Sequence, residues 1–145
     1  MELFWRGGLQ VRLIHCLVDF AQRDTHVPVG FWRTVGHSQN PYGRECFIDE
    51  LAQAAGKDPV AFRLQHLSDP RAIAVIQQTI AQAPWWHDRS QDDEGVGRGF
   101  AYARYKNTGA YCAVVVELVV EEKVKLHKLW TAVDLGHVVD ADGAA

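Results

Sequence analysis

Three observations predict an α+β fold. Strand patterns and helix patterns occupy separate blocks of the chain rather than alternating, which favours segregated helices and an antiparallel sheet over a doubly wound parallel one. Two Asp-Pro pairs, Asp58-Pro59 and Asp69-Pro70, mark helix starts in the middle of the sequence. Three β-rich runs, 100–105, 110–120 and 124–134, then follow at hairpin spacing.

In chain order, the first element expected is a strand over 9–20. Leu9, Val11, Leu13, His15 and Leu17 share one face of it, while Gln10, Arg12, Ile14, Cys16, Val18 and Phe20 share the other. Pro28, Gly30, Gly36, Asn40, Pro41 and Gly43 then punctuate an irregular loop, the kind of segment in which a site can sit. From about Arg44, the residues Phe47, Ile48, Leu51, Ala54 and Ala55 form a helical stripe, closed by Gly56 in the C-terminal position. Asp58 caps a second helix that ends near Leu67. Asp69 caps a third, with Ile73, Ile76 and Ile80 inward and a stop before Pro84. The stretch 85–99 reads as a polar, Gly-rich loop, and its acidic Asp92, Asp93 and Glu94 read as solvated surface. Lys106-Asn107-Thr108-Gly109 and Glu121-Glu122-Lys123 are turns that fold the last three runs into an antiparallel meander. The expected architecture is therefore an N-terminal strand, an irregular loop, three short helices and a three-stranded antiparallel meander, in a single domain over 1–145.

Composition excludes several classes. The 145 residues carry a net charge of -3 and are 48% apolar, so global disorder is ruled out. A chain of this length buries roughly 70% of its unfolded surface and needs no metal or disulfide staple. The slightly acidic balance and the lack of a basic stripe argue against nucleic acid as a partner. Three cysteines with no C-x-x-C pair suit a reducing compartment, which makes the cytoplasm the expected location. The longest apolar run falls far short of the roughly 20 residues that span a bilayer, and the first ten residues lack an export-signal pattern, so no membrane is expected.

Most motifs that could carry chemistry dissolve on inspection. Gly95-Val96-Gly97-Arg98-Gly99 has a loop before it and a strand after it, the reverse of a dinucleotide fingerprint. The seven histidines include no H-x-x-x-H pair, so no metal site is expected. There is no G-x-S-x-G elbow, and Cys112 in its apolar strand reads as a core thiol. What remains is Arg33, set between Trp32 and small, permissive residues just before a helix. Its guanidinium could fork onto a carboxylate or polarised carbonyl of a ligand. Alternatively it could tie the loop to Glu45 or Asp49.

The stretch VPVGFWRTVGHSQNPYGRECFIDELAQAAGKDPVAFRLQHLSDPRAIAVI resembles the molybdopterin-binding large subunit of the xanthine dehydrogenase and aldehyde oxidase family, in the branch of isoquinoline 1-oxidoreductase and nicotinate dehydrogenase. The likeness continues through GRGFAYARYKNTGAYCAVVVELVV and LHKLWTAVDLGHVVDADG, covering roughly residues 25 to 145. The pairing of the W-R-x-V-G-x-S-x-N loop with the F-I-D-E-L-A-x-x-A-G-x-D-P helix carries its specificity. That family hydroxylates aldehydes or electron-poor N-heterocycles with water as oxygen source, using a molybdenum–pterin cofactor and iron–sulfur or haem partners. The resemblance implies that Arg33 borders the substrate pocket, with Gly36, His37 and Ser38 near cofactor or substrate oxygens. Thr34 stands where that branch often has Ser.

Family large subunits are several times longer. The chain ends before the Gln-x-Glu-Gly segment and before the glutamate that acts as catalytic base, so no catalytic residue is assigned to it. Two expectations follow. The chain is a truncated piece of a molybdenum hydroxylase, inactive alone and without firmly bound molybdopterin, whose partners are the rest of that enzyme and its iron–sulfur subunit. Or it is a stand-alone binding or self-associating module on the same scaffold. In both, apolar surface that once packed against missing domains needs a cover, and a homodimer joined through 9–20 or the last strand would supply one.

Overall fold

A computed structural model describes residues 21, 23, 26–28, 30, 33–37, 39–83, 86, 95–105 and 109–144. The strand expected over 9–20, the acidic run 92–94 and Ser38 lie outside them. The described elements are a short 3-10 turn Val35–His37, helices α1 (Gln39–Ala54), α2 (Pro59–His66) and α3 (Pro70–Gln82), strands β1 (Val96–Tyr105), β2 (Ala110–Val120) and β3 (Val124–Asp134), and a last 3-10 turn Asp142–Ala144. The strands form one antiparallel sheet in the order β1-β2-β3. The α+β architecture with a three-stranded meander is as the sequence predicts.

Three boundaries and faces differ from expectation. Helix α1 begins at Gln39 rather than near Arg44, because Pro41 falls in its first turn, where a missing N–H leaves no intrahelical bond unmade. Of the expected stripe Ile48 is buried and Leu51 packs half-buried on the core, while Phe47, Ala54 and Ala55 are exposed, and Glu45 and Ala52 complete the buried face. Strand β1 begins at Val96 rather than 100, so Gly97 and Gly99 pair with Leu118 and Val116 inside the sheet. The stretch read as a polar loop also contains Trp86, one of the most deeply buried side chains.

The helix ends follow local chemistry. Gly56 takes a left-handed φ of 64° after α1, and the amide of Lys57 donates to the carbonyl of Ala52 at 2.9 Å, closing the helix with the bond such a cap needs. Asp58 Oδ1 accepts from the amides of Val60 and Ala61, capping α2. Asp69 Oδ1 accepts from the amide of Arg71, capping α3. Gly95 enters β1 at φ 86°, where a Cβ would stand 2.9 Å from the carbonyl oxygen of Val120, so no other residue fits without a shift.

The register sorts side chains onto two faces. On one, Phe100 pairs with Val115 and Trp130, and Tyr102 pairs with Ala113 and Ala132, and these join Val75, Ile76 and Ile80 of α3 in the core. On the other, Ala103 lies beside Cys112 and Val133, Ala101 beside Val114 and Thr131, Gly99 beside Val116 and Leu129, and Gly97 beside Leu118 and Leu126. A bulge between Glu117 and Leu118 gives β3 the extra residue His127. None of these twelve outer positions is charged. Helix α1 packs beside β1, and the buried carboxylate of Glu45 accepts the backbone amide of Tyr102 at 3.0 Å.

Candidate functional site

The loop expected to carry the site is described from Arg33 to His37. Arg33 and Thr34 form a turn and are exposed, Gly36 is buried and His37 is half-buried. Thr34 and Val35 both adopt left-handed backbone, with φ of 66° and 49°. Such a conformation strains a residue with a Cβ, and a β-branched one most. The bend is held from the far side: the amide of His37 donates to the carbonyl of Thr34 at 2.8 Å, and the His37 ring meets that of Tyr105 edge-on at 4.8 Å. The 3-10 turn also touches α1, which fixes where Arg33 leaves the scaffold.

Arg33 does not have the carboxylates once open to it, because other arginines do. Arg63 Nε donates to Glu45 Oε2 at 3.0 Å, Arg63 Nη1 donates to Asp49 Oδ1 at 2.6 Å, and Arg44 Nε reaches Glu45 Oε1 at 3.2 Å. Arg63 is fully buried, yet Nη1 also donates to the carbonyl of Pro59 and Nη2 to that of Glu45, both at 3.0 Å. Its donors are thereby satisfied by carboxylates and helix carbonyls, which is how a buried guanidinium is tolerated. Arg44 Nη2 reaches the carbonyl of Tyr102 at 3.4 Å. Nothing in the sequence signals this cluster beyond an arginine placed among apolar residues of α2.

Two charged groupings tie the start of α3 to the sheet, and a third links the three strands to one another. Asp69 Oδ2 accepts from the Tyr111 hydroxyl at 2.8 Å and from Arg104 Nη1 at 3.0 Å. Burial works against ionising Asp69, but Tyr111, the amides of Arg71 and Ala72, and Arg104 outweigh it and lower its pKa. Burial, helped by the Asp69 charge, pushes the Tyr111 phenol up. Arg71 grips Asp134 through Nε at 2.8 Å and Nη2 at 2.7 Å, and this fork, with the Gly136 amide, brings Asp134 down to about 2. Glu117 accepts from Arg98 Nε at 2.9 Å and faces His127 Nδ1 at 2.7 Å; Arg98 lowers its pKa most, against the opposing effect of burial, and His127 adds to the lowering.

A groove of about 390 Å3 lies between the α1–α2 corner and β1, lined among others by Asp49, Lys57, Trp86 and Arg98. Arg33, Gly36 and His37 do not line it. Among the described residues no group of three His, Cys, Asp or Glu side chains could hold a metal, and no helix is long and apolar enough to cross a membrane. The described part of the loop thus brings one exposed cation and one buried glycine together, one wall of a site rather than an enclosure. Cys112 lies on the uncharged outer face of the sheet, its Sγ 3.6 Å from Thr131 Oγ1, rather than in the core that its apolar strand suggests.

Across curated proteins, the chain is 38% identical over 89% of its length to the B subunit of nicotinate dehydrogenase from Pseudomonas putida. It is 36% identical over 95% of its length to the beta subunit of isoquinoline 1-oxidoreductase from Brevundimonas diminuta. The chain is a relative of oxidoreductase subunits. A third match, 28% identical over 95% of the chain, is a membrane-bound aldehyde dehydrogenase of Gluconacetobacter polyoxogenes whose name includes pyrroloquinoline quinone. The chain spans only 12%, 18% and 20% of the lengths of these three proteins. No family model matches the chain.

Proposed function

We propose that the chain is a portion of the molybdopterin-binding large subunit of a molybdenum hydroxylase, and that Arg33, Gly36, His37 and Ser38 form one wall of its substrate and cofactor pocket. The observation that carries this reading is the strained bend after Arg33. Consecutive non-glycine residues in left-handed backbone persist only where surrounding structure over-determines them, and they cluster at ligand clamps. Here the bend turns an arginine outward with its loop anchored behind it. Such a guanidinium can orient a carboxylate or a ring carbonyl by two parallel N–H donors.

The described residues do not by themselves fit the cofactor. One exposed guanidinium and a buried glycine make a wall, and the pterin and its metal would take most of their ligands from elsewhere in the enzyme. When bound, the molybdenum–pterin cofactor would supply the two-electron acceptor for substrate hydroxylation. No step through it is assigned to this chain, and no residue of the chain is assigned as catalytic base. The third relative, whose name carries a different cofactor, supports a segment that serves the scaffold and substrate side more than the redox centre. The partners are then the rest of the large subunit and an iron–sulfur subunit, and the chain alone is inactive.

The test is a chimera in which residues 25–145 replace the matching segment of the Brevundimonas protein. The chimera should oxidise isoquinoline, and Arg33→Ala in it should lower kcat/KM at least tenfold while molybdenum content stays constant. Equal activity in the Ala variant would remove Arg33 from the pocket. Stoichiometric molybdenum on the 145-residue chain alone would overturn the inactive-alone reading. In a second reading, a self-associating module, a further copy of the chain rather than the rest of a large subunit covers the apolar side chains exposed along β3: Val124, Leu126, Leu129 and Val133.

A further inference from the structure

We infer that the uncharged outer face of the sheet is a contact surface for a second copy of this chain, stacked face to face about a two-fold axis that runs along β2. This rests on the self-associating reading and gives it a surface and a geometry.

Along β1 the outward positions are Gly97, Gly99, Ala101 and Ala103, with Tyr105 only at the far end of the strand, so this side of the face is a trough over most of its length. Along β3 they are Leu126, Leu129, Thr131 and Val133, a ridge whose three aliphatic members are 60%, 53% and 52% exposed. Between them runs the half-buried β2 row of Cys112, Val114, Val116 and Leu118. A two-fold axis parallel to β2 lays the β3 ridge of each copy over the β1 trough of the other. The perpendicular in-plane axis would stack ridge on ridge and leave the troughs empty. The face is therefore self-complementary in one orientation, as an isologous interface requires.

Charge agrees with shape. No charged residue occupies the face, so two copies desolvate no ion on closing. At the β2–β3 turn, where like ends meet, Lys125 Nζ lies 2.6 Å from Glu121 Oε2, and Glu122 and Lys123 add one charge of each sign. The area also suffices. Strands of this length, rising about 3.4 Å per residue at a spacing of about 4.8 Å, make a face on the order of 500 Å2. Two such faces bury about 1,000 Å2, the least that a biological interface needs.

The experiment uses the chain with Cys16→Ser and Cys46→Ser, which leaves Cys112 on the central strand as the one thiol. On the proposed axis Cys112 faces Cys112 of the second copy across sheets about 10 Å apart. Sedimentation at micromolar concentration should give a dimer, and a short bismaleimide should link it covalently through Cys112. A thiol moved to the helix side, Gln78→Cys in a Cys112→Ser chain, should not link. Leu129→Glu should yield a monomer with unchanged far-ultraviolet circular dichroism. A monomeric parent chain overturns both the module reading and this surface. A dimer that neither links at Cys112 nor responds to Leu129→Glu keeps self-association and overturns the face.

Discussion

Glu45 Oε2 accepts the backbone amide of Tyr102 at 3.0 Å and the Nε of Arg63 at the same distance, so one buried carboxylate joins α1, α2 and the open edge of β1. An edge strand presents unpaired amides, and here a side chain from a helix occupies one of them. Removing one member of such a buried pair leaves the other charge uncompensated. Glu45→Ala should therefore destabilise the fold by about 3–5 kcal/mol. Arg63→Met should cost less than Glu45→Ala, because it leaves the Tyr102 amide its partner. Urea midpoints of the two variants and the parent check the order, and the reverse order would place the carboxylate's main role elsewhere.

Both Asp-Pro helix starts do a second job with their other oxygen. Asp58 Oδ2 accepts the indole Nε1 of Trp86 at 3.0 Å, and Asp69 Oδ2 takes Tyr111 and Arg104. Losing a cap costs about 1 kcal/mol, and leaving a buried donor unpaired costs about 1–3 kcal/mol more. Asp58→Ala should thus lose about 2–4 kcal/mol in total by the same reckoning. Asp58→Asn has a single acceptor oxygen and must choose between cap and indole. It should fall between parent and Ala in thermal melts, with a shift in Trp86 emission if the cap wins.

The helices were legible because their signals are local. Asp-Pro starts, a Gly stop and apolar spacing depend on a few neighbouring residues, and α2 and α3 lie where those signals place them. The start of β1 was not legible, because glycine at 97 and 99 reads as a loop until the strand's register shows that both fall on the outer face. Arg63 and Glu45 escaped for a different reason. Periodicity ranks residues by polarity, and two charges that bury together violate the ranking as a pair, 18 positions apart. Arg33 stands out in the sequence as a loop residue and lies in a turn, but that Glu45 and Asp49 are taken by Arg63 and Arg44 shows only in three dimensions.

Acid should weaken the fold through Asp134 and Glu117. Asp134 is lowered from 3.8 to about 2, and Glu117 lies below its ordinary 4.5. A carboxylate with a depressed folded pKa contributes stability that is present above its unfolded value and lost as pH falls through the folded one. The loss should therefore develop between about pH 4.5 and pH 2. Arg71→Ala releases Asp134, and Arg98→Met releases Glu117 from its main partner. Each variant should be less stable than the parent at neutral pH and should lose less on acidification. Urea midpoints at a neutral and an acidic pH read this directly, and parallel losses in parent and variants would mean that other groups govern the acid limb.

The bend after Arg33 separates strain from fold stability. Val35 holds φ at 49° and is exposed, so its side chain contributes little burial while its Cβ opposes the backbone. The strain on a β-branched residue there is about 1–2 kcal/mol, and glycine removes it at the expense of unfolded-chain entropy. Val35→Gly should leave stability unchanged or raise it by up to about 1 kcal/mol. Exposed Arg33→Ala should stay within about 0.5 kcal/mol of the parent. In the chimera with the Brevundimonas protein, both changes should reduce kcat/KM, because one removes the guanidinium and the other loosens the turn that aims it. If Val35→Gly instead destabilises the isolated chain by more than about 1 kcal/mol, the bend belongs to the packing of the fold rather than to the presentation of Arg33.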